Sequence, residues 1–232
     1  MARLPRLSVP GLPHSVLQQV GHGHAWVVDD DDRGFFLECL QRAAAEHGVS
    51  VHVYVLLDDR WQLLCTPPDA HALSLMMQAV GRAYVAHFNR RHGRCGPLWA
   101  GRFRATVIEP TRVVAAMVTL ETEPQRRGLV AQAADWRWSS LAHHLGQGHA
   151  AWLADAAQFW SLGNTPFERQ AHYQRLVQSG VPAVEAGQLE RHTQRGWAWG
   201  GAAFLAQLEG LGARRPSPRP RGRPRKGVQP SA

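Results

Sequence analysis

Arg90, Arg91, Arg94, Arg102 and Arg104 crowd one stretch of the chain and bracket Trp99 and Phe103. That mixture suits nucleic acid. Guanidinium groups pair with phosphate in charge-assisted forks, and aromatic faces stack on bases. Arg102 and Arg104, two apart on an expected strand, share a face and can reach one backbone. A second basic group lies towards the end of the chain. Arg214, Arg215, Arg219, Arg221, Arg223, Arg225 and Lys226, the only lysine, stand together without an acid. The net charge of +8 is therefore concentrated there, and the body that precedes it is close to neutral. Any affinity of the body for DNA must come from local clusters. Within the tail, Pro220, Arg221, Gly222, Arg223 and Pro224 have the form of an AT-hook core. Prolines keep such a segment extended, glycine admits the backbone to the groove floor, and arginines suit a narrow A·T minor groove. A generic polycation with salt-sensitive, sequence-blind binding accounts for the same residues equally well.

Metal ligands and nucleophiles are less well provided. His22 and His24 have ligand spacing, yet glycines flank them, as in a solvent-exposed turn. His143 and His144 are neighbours on an expected helix and should not share a face. Asp58 and Asp59, with Glu123, could hold Mg²⁺ through carboxylates, but adjacent residues on a strand point to opposite faces. Tyr84 falls within an apolar helical stripe and reads as core. Cys39, Cys65 and Cys95 are odd in number and widely spaced, which suggests neither a disulfide framework nor a CxxC metal site. They read as small buried apolar residues.

The elements that must position these side chains are legible in outline. With 44% apolar residues and 9 Trp in 232 residues, most of the chain should fold. The opening MARLPRLSVPGLPH has no apolar run suited to a signal peptide or membrane helix, so a cytoplasmic protein of bacterial type, associated with the nucleoid, is expected. His14–Val20 and Ala25–Val28 suggest two strands around the Gly21–Gly23 turn. Asp29–Asp32 place acids at a helix N-terminus, ahead of Phe36, Leu40 and Ala44, and Gly48 should end that helix. Val51–Leu57 suggests a strand buried on both faces, and Arg60–Thr66 a second. Between Ala70 and Arg91, the positions Leu73, Met77, Val80, Tyr84 and Phe88 form one helical face. Leu98–Ile108 reads as a strand, and Thr111–Arg127 as a helix interrupted near Pro124. Short helices follow at Ser139–Leu145, Pro166–Gln178, Val184–Arg191 and Ala202–Leu211. The pattern predicts an α+β fold: a ferredoxin-like antiparallel sheet with helices on one face, then a small helical C-terminal region. After Leu211 the Pro, Arg and Gly content predicts a disordered basic tail.

The phrase FNRRHGRCGPLWAGRFR, Phe88–Arg104, resembles the hallmark stretch of the REP-associated tyrosine transposases, a branch of the HUH-type single-tyrosine transposases with the IS200-like domain. MARLPRLSVPGLPH, FLECLQRAAAEHGV, LSLMMQAVGRAYVAHFNRR, WRWSS at Trp136–Ser140, TQRGWAWG at Thr193–Gly200 and RGRPRK ending at Lys226 are similar to further landmarks in the same order. The resemblance implies binding of hairpin-forming single-stranded DNA. It also implies a Mg²⁺ or Mn²⁺ ion held by a His-x-His strand, and a tyrosine that attacks the scissile phosphate. Residues i and i+2 of a strand project from one face, so two imidazoles there can converge on one cation. The cation polarises the phosphate while tyrosine forms the covalent intermediate.

At the positions that match those residues, this sequence departs from the pattern. Arg60 and Gln62 stand where the two histidines would be, Thr119 in the place of the tyrosine, and Glu123 in the place of a third metal ligand. A guanidinium has no lone pair for a metal, an amide oxygen is a weak ligand, and a threonine hydroxyl without a base is a poor nucleophile. No cofactor is therefore expected. The Arg-Gly-Asn-Asn-Arg phrase of the family is replaced by Gln19, Val20, Gly21, His22 and Gly23, which removes a charged fork. Arg60 suggests a fixed cation that clamps a phosphate without activating it.

Three functional classes follow: a DNA-binding relative of the transposases that does not cleave, an active transposase or nickase using substituted residues, and a decaying gene product with fold but no function. The expected organisation is a transposase-like domain at 1–130, a helical extension at 131–211 and an AT-hook-like tail at 212–232. The expected partner is hairpin or single-stranded DNA and not a membrane, with monomer and homodimer both open. The DNA-contacting candidates are Arg90, Arg91, Arg94, Trp99, Arg102 and Arg104 in the body, and Arg221, Arg223, Arg225 and Lys226 in the tail.

Overall fold

In the computed structural model, residues 6–21, 25–211 and 214–218 are described. The core is a four-stranded antiparallel sheet of order β2-β3-β1-β4, formed by β1 (His14–Gln19), β2 (Ser50–Leu56), β3 (Arg60–Thr66) and β4 (Arg104–Val107). The two inner strands, β1 and β3, pair from His14↔Cys65 to Gln19↔Arg60. Helices α1 (Asp30–Glu46) and α2 (Ala72–Arg91) cover one face. There Phe36, Leu40, Tyr84 and Phe88 close over Val16, Trp61 and Leu63.

The fold class is the expected one, but the second face is covered too. Successive strand residues alternate faces, so Val53 and Leu64 point away from α1 and α2. They meet α3 (Val113–Glu121) and the C-terminal region. A short 3-10 turn at Pro110–Arg112 leads into α3, and α4 (Glu123–Arg126) follows after a break at Thr122, with Pro124 in its first turn. Then come α5 (Leu141–His144), α6 (Ala157–Trp160), α7 (Pro166–Ser179), α8 (Ala183–Arg195) and α9 (Ala202–Gly210). Among the described residues no helix is long and apolar enough to cross a membrane.

An open sheet leaves two rows of unpaired backbone groups, and two tryptophan-bearing phrases seal them. Along the free edge of β2, Leu56 N–H donates to Trp138 O (2.9 Å), Ser140 N–H to Tyr54 O (3.0 Å) and the Trp136 indole to Leu56 O (3.0 Å). Along β4, Trp199 N–H donates to Val107 O (2.8 Å) and Glu109 N–H to Trp199 O (2.9 Å). Gly196, with φ +69°, turns the chain out of α8 to bring Trp197–Trp199 there.

Several expectations are corrected. Ala25–Val28 is no strand: β1 already has β3 and β4 as neighbours. The segment instead sinks Trp26 into the core, its indole donating to Leu57 O (2.8 Å) while the Tyr84 hydroxyl donates to Trp26 O. The strand expected over Leu98–Ile108 is confined to Arg104–Val107 and an isolated bridge from Trp99 to Val20. Gly101, with φ +142°, breaks the run, because few L residues adopt that backbone. Arg102 therefore sits in the bend, not on a strand with Arg104. Asp58 and Asp59 lie in the β2–β3 turn rather than on a strand. Cys39 and Cys65 are buried, but Cys95 is exposed. Part of the tail is packed: Ala198 N–H donates to Pro216 O (2.8 Å), and the Arg214 guanidinium lies 4.7 Å from the Trp197 ring. His22, His24, Arg221, Arg223, Arg225 and Lys226 lie outside the described residues.

Candidate functional site

Arg60 and Gln62, two apart on β3, face the same way as strand geometry requires. Thr119 and Glu123 are four apart across the α3–α4 break. All four line one cavity of about 170 Å³, with Leu120, Arg126 and Arg127 beside them and Ala186, Leu189 and Glu190 of α8 across from them. The positions picked out in the sequence thus converge. The side chains of Arg60, Gln62 and Glu123 are already committed to one another, and that of Thr119 to its own helix.

Gln62 donates its amide N–H to Glu123 Oε2. Arg60 lies 3.2 Å from Asp59, 3.3 Å from Glu190 and 3.9 Å from Glu123. Arg127 forms a two-pronged pair with Asp59, at 2.7 and 2.9 Å. Thr119 gives its hydroxyl hydrogen to Ala115 O one turn back (2.7 Å), a bond internal to the helix, and among the described residues no base bonds to it. Burial pushes the Glu123 carboxyl up from its usual range, against Arg60 and the Gln62 hydrogen bond. Despite partial burial, Arg127 and Arg60 hold Asp59 below its usual range.

This cleft does not fit Mg²⁺ or Mn²⁺. Such ions want several oxygen ligands, with few fixed cations nearby. Here a guanidinium occupies one ligand position, and the Gln62 amide, which could offer oxygen, turns its nitrogen to the carboxylate. Arg60, balanced by three carboxylates, is not a free cation awaiting phosphate.

The arginines considered for DNA separate into two groups. Arg91 is held by Asp29 (2.7 Å), Asp31 (3.2 Å) and buried Asp32 (2.5 Å), welding the end of α2 to the start of α1. His92 reaches the same Asp32 at 3.0 Å. Arg94 donates to Ala25 O (3.0 Å) and lies over the Phe88 ring. Arg90, Arg102 and Arg104 are exposed. Trp99 is half-buried against Trp26, Trp61 and Tyr84. Phe103 is buried, and the Arg6 guanidinium 3.6 Å from its ring centre takes the place a stacked base would need.

Between α2 and the Pro97–Phe103 loop runs a cavity of about 860 Å³ with a mainly apolar floor that includes Leu98 and Trp99, and with Arg82, Arg102 and Gln18 among its polar lining. It lies on the α1–α2 face, opposite the Arg60 cleft. Arg82 was invisible in the sequence because nothing there ties it to a loop twenty residues on. Glu190 was invisible for the same reason. His143 and His144 correct another expectation: α5 is a single turn, and their rings approach to 5.2 Å with Asp155 beside them.

No family model and no curated protein matches the sequence. Among solved structures, the chain is similar to a REP-associated tyrosine transposase bound to a REP hairpin. Identity is 15% and the TM-score 0.53, over 67% of this chain and 92% of that one. At that identity the likeness is one of fold. A transposase-like protein of Deinococcus radiodurans shares 20% identity over 48% of this chain and 91% of that one, with a TM-score of 0.36. A bacterial tRNA(His) guanylyltransferase-like protein in complex with GTP shares 17% over 56% and 69%, with a TM-score of 0.39.

Proposed function

We propose that this chain is a transposase-like DNA-binding protein that holds hairpin or single-stranded DNA and does not cut it. The observation that carries the reading is the closed cleft: Arg60, Gln62, Glu123 and Glu190 pair among themselves, and the Thr119 hydroxyl is tied to its own helix. The likeness to a fold neighbour bound to a REP hairpin supports a DNA partner of that class. Exposed Arg82, Arg90, Arg102 and Arg104 supply phosphate contacts, the 860 Å³ groove can receive an unstacked base, and the basic residues of the C-terminal segment add positive charge.

The test is a mobility shift with a labelled hairpin oligonucleotide, using the full chain and a chain lacking residues 212–232. Both should shift the hairpin, the shortened one more weakly. Replacing Arg102 and Arg104 by Ala should lower the slope of log affinity against log salt by about 0.7 for each phosphate no longer neutralised. Equal slopes would remove these arginines from the interface. Absence of any shift would sink the reading and favour a folded product without a DNA partner.

A further inference from the structure

Away from the cleft, three side chains converge without a task in DNA binding. One ring nitrogen each of His143 and His144 and a carboxylate oxygen of Asp155 all lie within 4.8 Å of one another. His143 Nε2 is 3.2 Å from Asp155 Oδ1, close to the roughly 3.3 Å that separates two ligands of a tetrahedral zinc ion with bonds of about 2.0–2.1 Å. His144 is fully buried; its Nδ1–H donates to Glu121 Oε1 (2.7 Å), and its Nε2 is buried with no hydrogen-bond partner among the described residues. An orphaned ring nitrogen in a protein interior is costly unless something fills its lone pair.

We propose that His143, His144 and Asp155 bind a divalent cation of the zinc class. Two imidazoles and one carboxylate are the donor set of late first-row metals, not of Mg²⁺ or Ca²⁺. Glu121 fixes the ligand ring. It accepts from His144, from the Tyr173 hydroxyl (2.5 Å) and from the Ser140 hydroxyl, so the Nδ1 proton of His144 is held by the carboxylate and Nε2 is the ring nitrogen left for an ion that displaces any proton there. Asp155 is anchored through its neighbour: Ala154 N–H donates to Val51 O (2.9 Å), and Ala154 O bonds the His52 ring. His143 and Asp155 also line a cavity of about 630 Å³ that contains His149, which gives an ion a way in and leaves its fourth position to water.

The proton count constrains how the ion enters. His143 now accepts the Ala150 N–H at Nδ1 (3.3 Å) and presents Nε2 to Asp155. Ligation at Nε2 requires that the ring proton sit on Nδ1, so the long bond from Ala150 opens and residues 146–150 shift. The ion then ties this loop, through His144 and Glu121, to α3 and to the segment that seals the β2 edge.

Metal-stripped full-length protein titrated with Zn²⁺ in a calorimeter tests the site, with Co²⁺ absorption reporting its geometry. The expected result is one equivalent bound, a tetrahedral Co²⁺ spectrum, and a rise in melting temperature. His143→Ala and Asp155→Asn, both at partly exposed positions, should each weaken binding at least tenfold and abolish that spectrum. The control His71→Ala should change neither. Glu121→Gln, if circular dichroism shows it folded, should weaken binding between tenfold and a hundredfold. No binding to the full chain, or binding unchanged in His143→Ala and Asp155→Asn, would overturn the proposal and leave His144 as a buried imidazole serving Glu121 alone. No DNA enters these measurements, so they stand apart from the hairpin test.

Discussion

Glu121 is fully buried and receives hydrogen bonds from Ser140, His144 and Tyr173. Truncating it strands three buried donors at once, so Glu121→Ala should cost about 3 kcal/mol or more in urea unfolding. A loss below about 1 kcal/mol would mean that water replaces the carboxylate. His14 presents a second buried group. It bonds Leu12 O at 2.7 Å and the Val9 N–H at 3.2 Å, and burial lowers its pKa to about 4 from 6.5. A depressed pKa means stability that is complete above pH 6.5 and lost as pH falls through 4, about 3 kcal/mol at roughly 1.4 kcal/mol per unit. His14→Gln should therefore lose about 3 kcal/mol less than the parent between pH 7 and pH 4, and parallel losses would contradict this. At this scale the cleft was half legible. The resemblance implied that Arg60, Gln62, Thr119 and Glu123 share one site, and strand and helix periodicity explain how each pair shares a face. That Glu190 would pair with Arg60, and Asp29 and Asp32 would take Arg91, depends on packing between distant segments and leaves no local signal.

Elements were readable where local chemistry and burial agree. Asp29 caps α1 by accepting the Asp32 N–H (3.1 Å), as the acidic run suggests, and the apolar stripe of α2 is core throughout. Expectation failed where tertiary demands won. Trp26 was drawn out of a strand pattern by a pocket of Phe36, Tyr84 and Trp99. The end of α8 gives a test of the edge-sealing role of TQRGWAWG. Gly196→Ala places a Cβ on a backbone at φ +69° and should cost about 1 kcal/mol, with faster hydrogen exchange at Glu109, whose amide pairs with Trp199 O. An unchanged melting temperature and unchanged exchange would show that the β4 edge is held by other means.

At the scale of the molecule, the two faces of one sheet carry different equipment. The α1–α2 face bears an apolar groove with exposed arginines at hand, while the α3–α8 face bears a small cleft whose arginines and carboxylates are paired. Chemistry on a phosphodiester needs a free ion or base and a free nucleophile. On the proposed reading neither is at hand, because Arg60 and Gln62 hold Glu123 and the Thr119 hydroxyl is tied to Ala115 O. The most direct measurement is a denaturing gel of a labelled hairpin incubated with the full-length protein and Mn²⁺, at a concentration where a native gel shows it bound. Intact DNA with no covalent protein adduct is the predicted result. A nicked strand, above all one attached to the protein and abolished in Thr119→Ala, would contradict it.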